Sequence, residues 1–553
     1  MASLADVPLD SDTPSTDAHR APCLAAVAAA IDRIDTTDWS LRAQADLRSV
    51  RRGLDEPIRV AVTGRVNAGK STIVNALLQQ RIAATDVSEC TKHVTWFRYG
   101  VPERVDVVMI DGTRHPIRLR ADGRLPDRLG VELRRQVDLD EDAPIDHLEV
   151  YLSNESLRMM TLIDTPGIAS VDDDASAATR ELLALDRSSR AAATQADVLV
   201  FVVAGSLQRD DTDFLRSFQR LFGTLSSSPF STITVLNKVD QINQESGDPV
   251  GDAGDLCDRL SRQLRSTVAG VIPLVGLLAE TSQTGALTQA DIDGLRRAAT
   301  ADPSAVARAL MSVDRYVRSD VMSAEPERRA HLLEVLDLTG TKLALDSLRQ
   351  GASTSSVVID RLRGRSGVNT LSRFLGERIV RHADALKAAA AISGIAQTAY
   401  RTEKVEQRAL LDLLDGLQIA PALHGVRELT LLQRMASGEV TFDPAADGEV
   451  RRLFADGTLV ERLGVGANSS SADTLAAISA RARHWKARAN NDAFAGRREA
   501  AEIVARSYEL LWHRTAEADR TPLVAGSGDG VPWQSPHDES EQQRLPRRQE
   551  DLR

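Results

Sequence analysis

Aromatic residues make up only 4% of this chain. β-Sandwiches draw heavily on aromatic and β-branched side chains, so the shortage argues against an all-β architecture. Cysteine is nearly absent: Cys23, Cys90 and Cys257 are odd in number and far apart, which excludes a disulfide framework or a zinc-binding cluster and fits a reducing cytoplasm. The ten histidines are dispersed, with no H-x-x-x-H pair. No apolar run approaches the roughly 20 residues that cross a bilayer. The nearest, Leu386 to Ile395, is interrupted by Lys387 and Ser393, so membrane contact would be peripheral. Positive charge is in deficit, 68 Lys and Arg against 79 Asp and Glu for a net charge of −11. Gripping nucleic-acid phosphate needs clustered cations, so nucleic acid is not an expected partner. The first twenty residues carry Asp6, Asp10, Asp12 and Asp17 rather than a basic start and an apolar stretch, so no secretory signal is read there.

What is present is ordinary globular composition, 42% hydrophobic and 27% charged over 553 residues, enough for several domains of about 150 residues. Abundant Ala, Leu, Arg and Asp predict a largely helical chain. Residues 1–20 and 520–553 are polar and rich in Pro, Ser and charge, as expected of disordered tails. Residues 21–56 show helical spacing (Leu24, Val27, Ile31, Ile34) and should pack with a later bundle. From 57 to 302 short β-branched runs (IRVAVT, VTWFRY, VDVVMI, HLEVYL, MMTLID, DVLVFVV, STITVLN) alternate with helical stretches, predicting an α/β domain on a mixed, mostly parallel sheet. Residues 303–519 read as an all-α bundle, with hinges expected at 350–356 and 364–367. One helix could run from about Thr370 to Leu417, reaching ~70 Å and placing the apolar turn 419–423 at a far tip. The basic stretch Arg361, Arg363, Arg365, Arg373, Arg378 and Arg381 reads as a solvated helix face paired with Asp and Glu rather than as a face for anionic lipid.

Three motifs follow in order, each after a strand. Gly64-Arg65-Val66-Asn67-Ala68-Gly69-Lys70-Ser71 fits G-x-x-x-x-G-K-S between the strand IRVAVT and the helix IVNALL. Its glycines let backbone N–H groups turn toward a phosphate, Lys70 neutralises charge, and the Ser71 hydroxyl can ligate Mg²⁺. Gly64, Asn67, Ala68, Gly69, Lys70, Ser71 and Thr72 are the expected phosphate-binding residues. Asp164-Thr165-Pro166-Gly167 follows MMTLI, setting a carboxylate and a glycine N–H near a γ-phosphate. Asn237-Lys238-Val239-Asp240 fits N-K-x-D. Its Asp240 can accept from guanine N1–H and the exocyclic amine, which adenine cannot offer, so GTP and GDP are expected over ATP. Between the first two motifs a threonine should close over Mg²⁺ and the γ-phosphate. Thr85 and Thr91 both fall there, and Thr91 is better placed, just before VTWFRY. A base-contacting loop is expected near Val275 and Gly276.

Through GRVNAGKSTIVNALL, CTKHVTWFRYG, DTPG and NKVD, and the long stretch from Thr91 to Asp164, the chain resembles the bacterial dynamin-like proteins of the dynamin superfamily. With TDVSECTKHVTWFRYG, ALMSVDRYVR and ARHWKARANNDAF, the resemblance is to mycobacterial members and spans about residues 20–516. It implies a P-loop GTPase head with a helical neck or stalk, Mg²⁺-dependent hydrolysis of GTP, a homodimer formed through the heads on GTP, and remodelling of the inner face of a cell membrane by a cytoplasmic, peripheral protein. A sister dynamin-like GTPase is a further candidate partner. Lys70, Ser71, Thr91, Asp164, Gly167, Asn237, Lys238 and Asp240 match the family's motifs. Lys70, Ser71, Thr91, Asp164 and Gly167 would serve hydrolysis. Ser71 and Thr91 would hold Mg²⁺, with Asp164 one layer further out. Three departures stand out: Val66 replaces the glutamine that eukaryotic dynamins use to place the attacking water and a cation, Asn67 replaces the serine that follows it, and Ile168 cannot do the work of the glutamine of Ras-like enzymes. Two functions are compatible with these residues, a mechanochemical GTPase acting on membrane and a slow GTP switch that regulates a sister GTPase.

Overall fold

The computed structural model describes residues 21–83, 93–120, 123, 125, 145–166, 196–205, 215, 231–242, 247–265, 267–322, 325–352, 354–380, 382–454, 458–466 and 469–520. The expectations for Thr85, Cys90, Thr91, Gly167, Ile168, Arg381 and both tails lie outside them.

Among the described residues nine strands form one sheet: β1 Ile58–Gly64, β2 Val94–Tyr99, β3 Arg104–Met109, β4 Arg114–Ile117, β5 Ile145–Leu152, β6 Met160–Asp164, β7 Val198–Ala204, β8 Thr232–Asn237 and β9 Val271–Leu274, in the order β4-β3-β5-β2-β6-β1-β7-β8-β9. The half from β6 through β1, β7 and β8 to β9 is wholly parallel, while β2 meets β6 antiparallel, as β3 does β5 and β4. Strands covered on both faces are apolar throughout, and β1 and β7 are buried along nearly their whole length. The sheet is the mixed, mostly parallel one expected. The unexpected strand is β4, Arg114-His115-Pro116-Ile117: short, polar and containing proline, which an edge strand tolerates because one row of its N–H groups has no partner to lose.

The principal helices are α1 Pro22–Asp32, α2 Leu41–Gly53, α3 Lys70–Leu78, α4 Gly276–Thr284, α5 Gln289–Ala299, α6 Pro326–Arg349, α7 Ser355–Ser366, α8 Ala383–Arg401, α9 Lys404–Ile419, α10 His424–Ser437, α11 Ser471–Asn491 and α12 Ala495–Arg520. Alternation along each strand divides the sheet's side chains between two cores. Val60, Val62, Val200 and Val235 meet Ile73, Val74 and Leu77 of α3 and then Val368, Leu371 and Leu375. On the opposite face Ala61, Leu199, Phe201 and Leu236 meet Leu278 of α4, Ile292 and Leu295 of α5, Leu332, Val335 and Leu343 of α6, and Leu362 of α7. The boundary expected after residue 302 therefore does not separate one core from another, because helices well beyond it still cover the sheet. A helix rich in Ala, Leu and Arg looks the same in sequence whether it covers a sheet or joins a bundle.

Three further expectations change. Gly364 to Gly367 is no hinge: Val275 N donates to Ser366 O at 2.9 Å, and Gly367, at φ +83°, lies so close to β9 that a Cβ would stand 2.3 Å from Pro273 O. In the basic stretch Arg363 pairs with Asp360 at 3.3 Å and Arg373 is exposed, as expected, but Arg361, Arg363 and Arg365 are half-buried rather than solvated. Arg361 donates to Ser347 O at 2.9 Å, Arg363 to Ser282 O at 3.1 Å, and Arg365 to Gly247 O, fastening α7 to its neighbours. The single helix expected over 370–417 is broken at Thr402 and Glu403, both extended. Helix α9 folds back on α8, so that Leu410, Leu414 and Leu417 join Ala388, Ile395 and Ala399 in one core with Leu24, Val27 and Ile31 of α1 and Leu47 of α2. Leu423 is buried in that same core, so the apolar turn 419–423 is no far tip. A second helical core follows around Trp485 and Tyr508, whose Nε1 and hydroxyl both donate to Glu449, at 2.9 and 2.7 Å. Among the described residues no helix is long and apolar enough to cross a membrane.

Candidate functional site

The C-terminal ends of β1, β6 and β8 lie along the same edge of the parallel half, within three strands of one another, and the three motifs leave from those ends. This is where an open α/β sheet holds its ligand. The glycines of the first motif are fixed by space as well as by dihedral. Gly64 has φ +149° and a Cβ there would stand 2.2 Å from Val202 O; Gly69 has φ +91° and its Cβ would stand 2.3 Å from Asn237 Nδ2. Asn67 takes the left-handed region at φ +61°, which a short polar side chain tolerates better than most. The loop then runs into α3, with Lys70, Ser71 and Thr72 in the first turn, the electropositive end of a helix.

Lys70 is buried, and its Nζ donates to Arg65 O at 2.9 Å. Burial holds its pKa below the usual lysine value, opposed by the nearby Asp164 carboxylate. Ser71 Oγ donates to Asp164 Oδ2 at 2.7 Å. Burial pushes the Asp164 carboxyl up to about 6 against the pull of that hydroxyl and of Lys70. Its other oxygen, Oδ1, is buried without a hydrogen-bond partner among the described residues. Next to Asp164, the Thr165 hydroxyl donates to Val62 O at 2.9 Å, pinning the end of β6 to β1.

Asn237, the first residue of the N-K-x-D motif, joins two loops of the site. Its Nδ2 donates to Ala68 O at 2.8 Å and its Oδ1 accepts from Gly276 N at 2.8 Å, so one amide bolts the phosphate loop to the loop after β9. An amide, with a donor and an acceptor on one short stem, suits such a bridge. The loop at Val275 and Gly276 is thereby tied to the same site. Lys238 has φ +59° and opens the short turn Val239–Gln241 that carries Asp240. Asp240 is largely buried, and burial raises its pKa, with Asp337 adding to the rise and Lys238 opposing it. Sequence reasoning missed Asp337, which no motif marks: it interrupts α6 with φ +55° and ψ −174°, and Thr341 Oγ1 donates to its carbonyl at 2.7 Å. Lys70, Ser71, Asp164, Asn237 and Asp240 thus come together, while Val66 and Asn67 on the loop's outer edge are exposed, Val66 by 50%.

A Gly-rich loop opening a helix, a carboxylate on its hydroxyl and a buried N-K-x-D aspartate at neighbouring strand ends define a P-loop GTPase. Consistent with this, the family model described as "50S ribosome-binding GTPase" matches residues 59–238. The isoniazid-induced protein IniC of Mycobacterium tuberculosis, from strain CDC 1551 / Oshkosh and from strain ATCC 25618 / H37Rv, is in both cases 32% identical over 466 residues, covering 83% of this chain and 90% of the relative. The chain belongs to the bacterial dynamin-like GTPases, the family of IniC. It is an enzyme that binds guanine nucleotide and hydrolyses GTP. A solved structure described as an oligomerised bacterial dynamin pair for the long-range sensing and tethering of membranes aligns over 93% of this chain and 77% of its own, at 14% identity and a TM-score of 0.28.

Proposed function

We propose that this GTPase uses Mg²⁺, that its heads pair on GTP to complete the hydrolytic site, and that it couples pairing to work at a membrane surface. The observation that carries the proposal is the polar arrangement at the head of α3. Ser71 Oγ and the unpartnered Asp164 Oδ1 are hard oxygen donors side by side, the chemistry Mg²⁺ takes. Ser71 would hold the ion directly and Asp164 through water, with Thr91 as a further ligand by its match to the family motif. The ion's part would be to neutralise charge building on the β- and γ-phosphates.

The protein's own groups do the rest. Lys70 exchanges its bond to Arg65 O for one to phosphate, Gly69 and the first turn of α3 supply N–H donors, and Asp240 accepts the guanine edge. Orienting the attacking water is what the loop lacks, since exposed Val66 offers no polar atom. That gap supports pairing of heads, which would hold the stretch carrying Thr91 in place over the nucleotide. Fixing a chain segment costs about 1 to 2 kcal/mol per residue, a cost an interface can offset. Membership of the dynamin-like family supports the membrane part of the reading.

The test is co-sedimentation of the full chain with anionic vesicles. GTP is expected to bring protein into the pellet and to draw tubules visible by electron microscopy, while GDP and the Lys70→Ala chain with GTP are not. Protein that hydrolyses GTP yet stays in the supernatant with every nucleotide would favour the slow switch instead.

A further inference from the structure

Asn75 stands one turn after Ser71 on the same stripe of α3, and its side chain is 1% exposed. Its Oδ1 accepts from Ile82 N at 3.0 Å and Ala83 N at 2.8 Å, while its Nδ2 donates to Ala83 O at 3.1 Å and to Glu280 Oε1 at 2.8 Å. Glu280, 2% exposed, stands one turn after Gly276 on α4, whose N–H is held by Asn237. Arg81 closes the cluster, 3.3 Å from Glu280 and 3.5 Å from Glu334 of α6. Four separate pieces of chain therefore meet around one buried amide: the phosphate-loop helix, the residues just after it, the helix behind the base-side loop, and α6. The donor and acceptor ends of that amide are fixed by its partners, since backbone N–H groups need the oxygen and the glutamate needs the N–H.

We propose that Asn75 and Glu280 are positioning residues for GTP hydrolysis, clamping Ile82 and Ala83 where the chain leaves the phosphate-loop helix on its way to Thr91. The proposal rests on the reading of Thr91 as the residue that closes over the γ-phosphate. Asn75 itself has no contact with nucleotide in this mechanism. It fixes the starting point of the stretch that carries Thr91, so its loss should slow the chemical step and spare ground-state binding of GDP, which needs no γ-phosphate contact.

The experiment is an exchange of donor and acceptor, followed by GTP turnover, GDP affinity and melting temperature on the full chain. Asn75→Asp keeps acceptors for Ile82 and Ala83 but sets two carboxylates together, and is expected to lower kcat about tenfold with GDP affinity within about twofold of wild type. Adding Glu280→Gln restores a donor facing that carboxylate and should return kcat to within about threefold of wild type. Glu280→Ala, a milder change, should lower kcat about three- to fivefold at unchanged GDP affinity, and it serves where Asn75→Asp does not fold. Wild-type kcat in Asn75→Asp or in Glu280→Ala, no recovery in the double variant, or equal losses of kcat and GDP affinity would each overturn the proposal. Thr91→Ala is measured in parallel. Its loss of turnover beside an unaffected Asn75→Asp sinks the clamp alone, whereas wild-type turnover in Thr91→Ala sinks the reading of Thr91 and the clamp with it.

Discussion

Lys70→Ala is expected to reduce GTP turnover by about a thousandfold or more while the melting temperature stays level or rises. The loss is that of the lysine that opens the phosphate-loop helix, and neutralising the charge that develops on phosphate contributes heavily to the rate of phosphoryl transfer. The stability half follows from its surroundings. Lys70 is buried, its Nζ is held by Arg65 O, and burial already disfavours its charged form. Removing a desolvated ammonium relieves a cost, and the alanine fits the helix it opens. Ser71→Asn should likewise abolish turnover, because the larger amide displaces the hydroxyl now 2.7 Å from Asp164. Turnover assays beside thermal melts check both. Wild-type turnover in either variant would remove the phosphate loop from the site.

Asp240→Asn should carry the next largest effect, a change in which base is bound. Guanine presents N1–H and an exocyclic amine to two carboxylate oxygens, and replacing one oxygen by an amide leaves a donor facing a donor. A mismatch of this kind costs about 1 to 3 kcal/mol per unsatisfied group, or roughly five- to 150-fold in affinity. Asp240 is buried, so water cannot make good the loss. Wild type should bind GTP and GDP far ahead of ATP, and the variant should lose guanine and gain xanthosine nucleotides, whose C2 oxygen accepts from an amide. Competition against a fluorescent GDP measures this. Equal affinity of the wild type for ATP and GTP would contradict the assignment.

The site was legible because its chemistry is local. The loop from Gly64 to Ser71 needs glycine at its close approaches, and Gly64 and Gly69 are indeed the positions where a Cβ would strike Val202 and Asn237. The strands beneath it were legible from their continuous apolar runs, which parallel strands require, and β4 was not because a polar edge strand carries no such run. What the sequence hid is long-range. Nothing local tells that Asn237 spans two loops, that Asp337 breaks a helix beside Asp240, or that Leu332 and Leu362 cover the sheet rather than a separate bundle. The break at Thr402 and Glu403 was missed because neither Pro nor Gly marks it. There the chain reverses so that Leu410 and Leu414 bury against α8, and tertiary packing overrides helix propensity.

Central to the proposed mechanism is that one head alone lacks the means to order the attacking water and that a second supplies it. The most direct test is the rate of GTP hydrolysis per molecule of full-length protein, measured with Mg²⁺ across concentrations that span monomer to dimer by light scattering. The specific rate is expected to rise with the dimer fraction, and a Thr91→Ala chain to lose most of that rise. A specific rate that stays flat while dimers form would contradict the mechanism.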